Sequence, residues 1–192
     1  PEVLSQYLMA CLGYPDRCDQ AESIVGFEDG YQVTLAQAPA LPSRLQNKDL
    51  KVIEICEQEK EKGKQVLVYF TQVNRRDARQ RLKTALEERG LKVVILDSSV
   101  SPEDRESWLF KKHEEGFDVM FTNGRLVETG MDLLFATTII QYGIEYSIPS
   151  LRQSTRRSWR LGQKHPVKVI FLGHAGTMQE TALKLIAAKI RA

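Results

Sequence analysis

From residue 47 onward, short uninterrupted apolar runs alternate with longer stretches in which apolar positions recur every three or four residues. The runs are 66–70 (VLVYF), 93–96 (VVIL), 119–122 (VMFT), 138–142 (TIIQY) and 167–172 (VKVIFL). A run without polar alternation is what a strand buried on both faces needs. The intervening spacing predicts helices over 47–62, 75–89, 102–116 and 151–161. A final helix is expected to open at 177–180 (TMQE), which has the S/T-x-x-E form of a capping box. Asn47 or Asp49 is the expected cap of the first helix, with Leu50, Ile53 and Cys56 turned inward. Ser101 is the expected cap of the third, with Pro102 in its first turn. Gly63, Gly90 and Gly116 are the expected stops. Strands alternating with amphipathic helices build βαβ units, so the pattern predicts an α/β domain with a mostly parallel sheet flanked by helices. Such sheets hold ligands at the carboxyl ends of their strands, here the loops after Phe70, Leu96, Thr122 and Tyr142.

The first 45 residues follow a different pattern. Val3, Leu4, Tyr7, Leu8 and Cys11 predict a helix over 1–12, broken by Gly13, Pro15 and Asp16. Residues 31–35 alternate as a short strand, and Pro39 and Pro42 mark an extended linker. The expected organisation is an N-terminal extension over 1–45 and one domain over 46–192. Because the chain starts at Pro1 without Met, it is expected to be a piece of something longer.

Composition narrows the function classes. With 27 basic and 25 acidic residues the net charge is +2, so affinity for nucleic acid must come from a local patch. Three cysteines with no C-x-x-C pair argue against a disulfide framework or a zinc ribbon and favour a reducing compartment, taken as the cytoplasm. His113, His165 and His174 have no second ligand three or four residues on, so no metal site is expected. No apolar run approaches the length of a membrane span and no signal peptide is visible, so no membrane contact is expected.

One stretch is chemically dense. QSTRRSWRLGQ, 153–163, places Arg156, Arg157 and Arg160 within five residues. In a helix, Arg156 and Arg160 would lie one turn apart on one face, with Arg157 also beside Arg160. Guanidinium forks at that spacing suit a polyanion such as phosphate; a solvated basic helix end accounts for the spacing equally well. No phosphate loop accompanies them. Gly63-Lys64 is followed by Gln65 and precedes a strand, which makes it a helix end, and no G-x-G-x-x-G occurs. Val93 to Asp97 has the form of a magnesium-binding strand end, or of a strand closed by a turn-forming Asp. The helix over 75–89 offers Arg75, Arg76 and Arg79 either to nucleic acid or to solvent.

Arginines without a phosphate loop fit the second half of a two-lobed ATPase. Several motifs, in order, resemble the C-terminal RecA-like lobe of a superfamily 2 helicase, close to Swi/Snf-type translocases and their bacterial and phage relatives. QSTRRSWRLGQ matches the family's motif VI, Q-x-x-x-R-x-x-R-x-G-Q, at every defined position. VLVYFTQ (66–72) matches the strand of motif IV, and SSVSPEDR (98–105) resembles the segment after it. TNGRLVETGMDL (122–133) resembles motif V, and GTMQE resembles the family's closing G-T-I-E-E. Together these cover about residues 47–190.

The resemblance implies a three-layer RecA-like fold and a set of roles. Arg157 and Arg160 would reach ATP phosphates, with Arg160 as the finger. Gln153 would face the nucleotide cleft, and Gly130 and Asp132 would lie near the nucleotide, Asp132 accepting from ribose hydroxyls. Gln72, Arg105, Thr122, Asn123 and Arg125 would lie along the nucleic-acid backbone, DNA in preference to RNA. ATP and Mg would be held mainly by an N-terminal lobe of the same parent chain, so this chain alone is expected to be inactive. The sequence departs from the pattern in three places. Asn123 and Gly124 stand where motif V has Ser-Thr, with Thr122 one residue further out; Ser98 replaces a glycine; and Trp159 replaces a histidine, as a packing residue or as a base-stacking one. A rival of another class is a non-catalytic α/β module whose arginines bind nucleic acid or a partner protein. A small-molecule nucleotide enzyme of doubly wound type would need the glycine-rich turn that is missing.

Overall fold

The computed structural model describes residues 2–71, 77–127, 131–144 and 148–191. Gln72 and Gly130, and the basic residues Arg75 and Arg76, lie outside them. The chain opens with helix α1 (Glu2–Gly13), a 3-10 turn at Tyr14–Asp16, and strands β1 (Glu22–Glu28) and β2 (Tyr31–Ala38). There follow α2 (Asn47–Glu61), β3 (Gln65–Tyr69), α3 (Arg79–Glu87), β4 (Val93–Ile95), α4 (Arg105–Glu115) and β5 (Val119–Thr122). After a 3-10 turn at Gly124–Val127 come β6 (Ala136–Gln141), α5 (Ile148–Arg156), β7 (Lys168–Phe171) and α6 (Met178–Arg191).

The main sheet has the order β4-β5-β3-β6-β7, and every pairing in it is parallel. Successive residues of a strand face opposite sides, and β3 shows it plainly. Val66, Val68 and Phe70 pack with Val52, Cys56, Leu82 and Leu86 on one side. Leu67 and Tyr69 pack with Leu96, Met120, Leu133 and Ile139 on the other. Both faces are therefore covered, giving three layers, and each such aliphatic side chain contributes about 1.5–3 kcal/mol by leaving water. No helix among the described residues is long and apolar enough to cross a membrane.

Differences from the pattern-based expectations have local causes. The arginine helix was expected to run through 161 but ends at Arg156. To continue, it would need the carbonyls of Gln153 and Ser154 as acceptors for the Arg157 and Ser158 N–H groups. The Ser154 carbonyl instead accepts from the Tyr69 hydroxyl at 3.1 Å, and the Ser158 N–H turns to the Thr155 carbonyl at 3.3 Å. A partner from the central strand and a tightened last turn thus stand where the next helical bond would form. Helix α4 starts at Arg105, after a turn in which Ser101 Oγ donates to Asp104 Oδ2 at 2.7 Å. Helix α2 is entered from Gln46, whose N–H donates to Asp49 Oδ2 at 2.8 Å, so Asp49 acts from the first turn and not as the cap itself. At the last helix, Glu180 receives the Gly176 N–H at 2.8 Å and Thr177 Oγ1 receives the Gln179 N–H at 3.2 Å.

The N-terminal segment is an antiparallel hairpin beside α1, with one more strand than the alternation at 31–35 suggested. Gly26 interrupts β1 because the β2 bulge brings Leu35 against it; a Cβ there would sit 2.8 Å from Leu35 Cδ1. The turn is Asp29-Gly30, both at positive φ (50° and 81°), a geometry that Asp-Gly adopts readily in tight hairpins.

This segment is joined to the lobe by buried charge. Asp16 Oδ1 meets Lys48 Nζ at 2.8 Å, and Gln179 Nε2 donates to the Leu12 carbonyl at 2.7 Å and to Asp16 Oδ2 at 2.9 Å. Arg81 donates to Asp49 at 3.0 Å, to Asp19 at 3.1 Å and to the Asp16 carbonyl at 2.7 Å. Burial pushes the Lys48 ammonium below its ordinary pKa, while Asp16 and Asp49 hold it up and the Tyr142 ring lies 4.5 Å beneath it.

Candidate functional site

Helix α5 follows β6 and therefore stands at the carboxyl edge of the sheet, where a parallel sheet places its ligands. Leu151 and Ser154 turn inward, and the Tyr69 hydroxyl at the end of β3 donates to the Ser154 carbonyl at 3.1 Å, fixing the helix to the central strand. Burial pushes the Tyr69 phenol well above its ordinary pKa, against the opposing pull of the Arg157 charge, so this hydroxyl stays a donor. Arg152, Gln153 and Arg156 remain on the exposed side of the helix.

Those three side chains, with Pro149, Arg157 and Arg160, line an open groove of about 480 Å³. Arg157 is at its base, only 7% exposed. Arg160 is at its rim, where its Nη1 meets Asp132 Oδ1 at 2.5 Å, with both side chains about half exposed. A second, shallower basin of about 630 Å³ shares Arg156 and Arg160 and continues over Trp159, Leu161, Gly162 and Gln163. Four arginines on one concavity suit an oligophosphate, because a planar guanidinium fork can meet two phosphate oxygens at once. Arg152 was not among the residues expected from motif VI. It lies one turn before Arg156, so extending the i, i+4 pattern one residue upstream of the motif finds it.

The helicase conserved C-terminal domain family matches residues 47–162 of this sequence. The chain belongs to that family. Its relatives among characterised proteins are of Swi/Snf type. It is 31% identical over 136 residues to the chromatin-remodeling ATPase INO80 of Neurospora crassa, covering 70% of this chain and 7% of that protein. It is 28% identical over 90 residues to the DNA repair and recombination protein RAD26 of Saccharomyces cerevisiae, covering 47% of this chain and 8% of that protein. The chain thus spans less than a tenth of the length of these relatives. Among solved structures, the C-terminal part of the Fun30 ATPase domain superposes with a TM-score of 0.65 at 20% identity, over 74% of this chain and 48% of that one. The fold is the RecA-like α/β fold.

The remaining expected residues of this helicase C-terminal domain fall into distinct environments. Arg125 is exposed, and Asn123 is half-buried, donating to the Thr71 carbonyl at 3.3 Å and accepting from the Arg125 N–H at 2.9 Å. Thr122 is fully buried at the end of β5. Arg105, expected along the nucleic-acid backbone, is 8% exposed and donates to the Leu126 carbonyl at 2.9 Å and the Val100 carbonyl at 3.3 Å. Its guanidinium ties the loop after β4 to the turn after β5. Replacing Arg105 by Ala is expected to cost about 2 kcal/mol in a urea titration, as two charge-assisted bonds to half-buried carbonyls are lost. The salt dependence of any nucleic-acid affinity is the second readout: an unchanged slope keeps Arg105 on the carbonyls, and a slope lower by about one would place it on a phosphate.

Asp97 closes an Asx turn, accepting from the Ser99 N–H at 2.9 Å and the Ser99 hydroxyl at 2.6 Å. Those two bonds hold its carboxyl below the usual range, and of the two forms open for the end of β4 the turn is the one adopted. Among the described residues no group of three or more His, Cys, Asp or Glu residues could hold a metal ion. Trp159 is 71% exposed and so does not pack in the core.

Proposed function

We propose that this lobe is the second half of an ATP-driven motor that tracks along DNA, contributing arginines to a nucleotide held mainly by a first lobe of the same parent chain. The observation that carries the reading is the four-arginine groove at the carboxyl edge of the sheet in a chain with no phosphate loop of its own. Bound ATP with Mg would bring the phosphoryl group to be transferred and the charge that develops on it. The residues present fit the triphosphate, since among the described residues that line the groove four are arginines and none is a carboxylate.

Arg160 is the finger in this reading, stabilising charge on the transferred group, and Arg157 and Gln153 flank the same cleft. Asp132 holds Arg160 at the rim when no phosphate is there. That pair is about half exposed, and ion pairs of this kind are worth about 0.2–1 kcal/mol, so exchanging the carboxylate for a phosphate has little to overcome. Arg125, exposed, and Asn123, half-buried, meet the nucleic-acid backbone in this reading, giving position and salt-dependent affinity without sequence choice. The names of the relatives, one a DNA repair protein and one a chromatin-remodeling ATPase, favour DNA over RNA.

The test is ATP turnover by the longer protein and by this chain, each with and without duplex DNA. DNA-stimulated turnover by the longer protein and none by this chain is the expected pair of results. A longer protein that binds DNA and hydrolyses no ATP would instead mark a non-catalytic module.

A further inference from the structure

Trp159 and Leu161 stand out among the apolar side chains of this lobe. They are 71% and 103% exposed, yet the loop that carries them is firmly held. On one side the Arg157 carbonyl is bonded to the Leu133 N–H at 3.0 Å, and Ser158 is fully buried. On the other, Gln163 Nε2 donates to the Leu134 carbonyl at 2.9 Å and to the Ser158 carbonyl at 3.0 Å, and the Gln163 N–H donates to the Arg160 carbonyl at 3.0 Å. Two large apolar side chains are thus displayed on a braced turn, beside cations and away from any core. A backbone braced this way loses little freedom when a flat partner settles on the side chain it carries.

The partner can be named by its chemistry. Trp159 shares its basin with Arg156 and Arg160, so one concave surface presents an aromatic face next to two guanidinium forks. A nucleotide carries the complementary pair, a planar base and a phosphate. We propose that Trp159 is a stacking platform for a nucleobase whose own phosphate sits on Arg156, with Leu161 closing the apolar edge. The proposal rests on the reading of the arginine groove as a phosphate site and adds to it the group that holds the base. The base could belong to a free nucleoside triphosphate in the cleft or to a strand of nucleic acid passing it; stacking on an aromatic face is the same chemistry for both.

The chain has two tryptophans, Trp108 and Trp159, so a Trp108→Phe variant leaves Trp159 as the sole indole fluorophore. That variant is titrated with ATP, with an oligothymidylate of about twelve nucleotides, and with inorganic tripolyphosphate, binding being followed in parallel by calorimetry. Saturable quenching by a base-bearing ligand, with tripolyphosphate binding but not quenching, is the expected result. Quenching by ATP alone assigns the platform to free nucleotide, and quenching by the oligonucleotide alone assigns it to a strand. In a second variant, Trp159→Ala should weaken the quenching ligand about tenfold and leave tripolyphosphate unchanged, while Trp159→Phe should restore most of the affinity. Binding of all three ligands without quenching would overturn the platform and leave the phosphate groove standing. Failure of all three to bind would overturn both. Equal weakening of tripolyphosphate and ATP by Trp159→Ala would reduce Trp159 to a support for the arginines and also overturn it.

Discussion

Replacing Arg160 by Ala is expected to lower DNA-stimulated ATP turnover of the longer protein by a factor of about 10³–10⁵, the range over which an arginine finger acts. The unfolding transition should be nearly unmoved. Arg160 lies beyond the end of α5, with 41% of its side chain exposed, and it pairs with Asp132, itself 52% exposed. Little of the fold depends on such a pair. A lysine at 160 should recover only part of the rate, because a point charge does not reproduce the planar fork that meets two phosphate oxygens at once. Arg157 would make a poorer test. It is 7% exposed and its backbone carbonyl holds Leu133, so a loss of turnover there would mix chemistry with packing. Turnover of the Arg160→Ala protein within tenfold of the original would remove the finger assignment. Retained DNA binding and a normal urea midpoint in that same protein are the controls that make a loss interpretable.

The largest stability effect is expected far from the arginines, at Asp49. Its carboxylate is fully buried and accepts from Arg81 Nε at 3.0 Å, from the Tyr142 hydroxyl at 2.7 Å and from the Gln46 N–H at 2.8 Å. Asp49→Ala takes one shared acceptor from three donors. The Tyr142 side chain is almost entirely enclosed, and burial together with Asp16 and Asp49 pushes its phenol well above the ordinary pKa, so it remains a hydroxyl in need of an acceptor. Arg81 keeps Asp19 and the Asp16 carbonyl but loses its most buried partner. Removing one member of a buried ionic group costs about 3–5 kcal/mol, most of it from the cation and donors left behind. Urea unfolding should show that loss, and Asp49→Asn, which keeps an acceptor oxygen but not the charge, should lie between. A change under about 1 kcal/mol in the alanine variant would mean that water replaces the carboxylate and that the network is not what joins 2–41 to the lobe.

That network was invisible to pattern. Asp16, Lys48, Asp49, Arg81 and Gln179 are spread along the chain, and each looks like an ordinary surface residue of its own segment. They meet because α2 and α3 both begin at the carboxyl edge of the sheet and α6 returns to it, a matter of topology that periodicity does not carry. The hairpin was half visible: residues 31–35 alternate, and Asp29-Gly30 is a hairpin turn in plain sight, but Gly26 breaks the alternation of β1. The site divided in a similar way. Motif VI named Arg157 and Arg160, since the family pattern marks those positions whatever their conformation. Their unequal exposure, the engagement of Arg105 with two carbonyls, and the membership of Arg152 in the groove depend on contacts between segments distant in sequence.

The sequence by itself determined the layer architecture, because uninterrupted apolar runs such as VLVYF and VMFT can only be satisfied when both faces of a strand are covered. It also determined the family, because the motif spacing is carried by residue identity alone. Only the tertiary structure decided where the arginine helix stops. Helical periodicity extends through 161, but the Tyr69 hydroxyl takes the Ser154 carbonyl, the Ser158 N–H turns to the Thr155 carbonyl, and the chain leaves the helix at Arg156. That early stop sets Arg160 against Asp132 at the rim of the groove and turns Trp159 out to solvent.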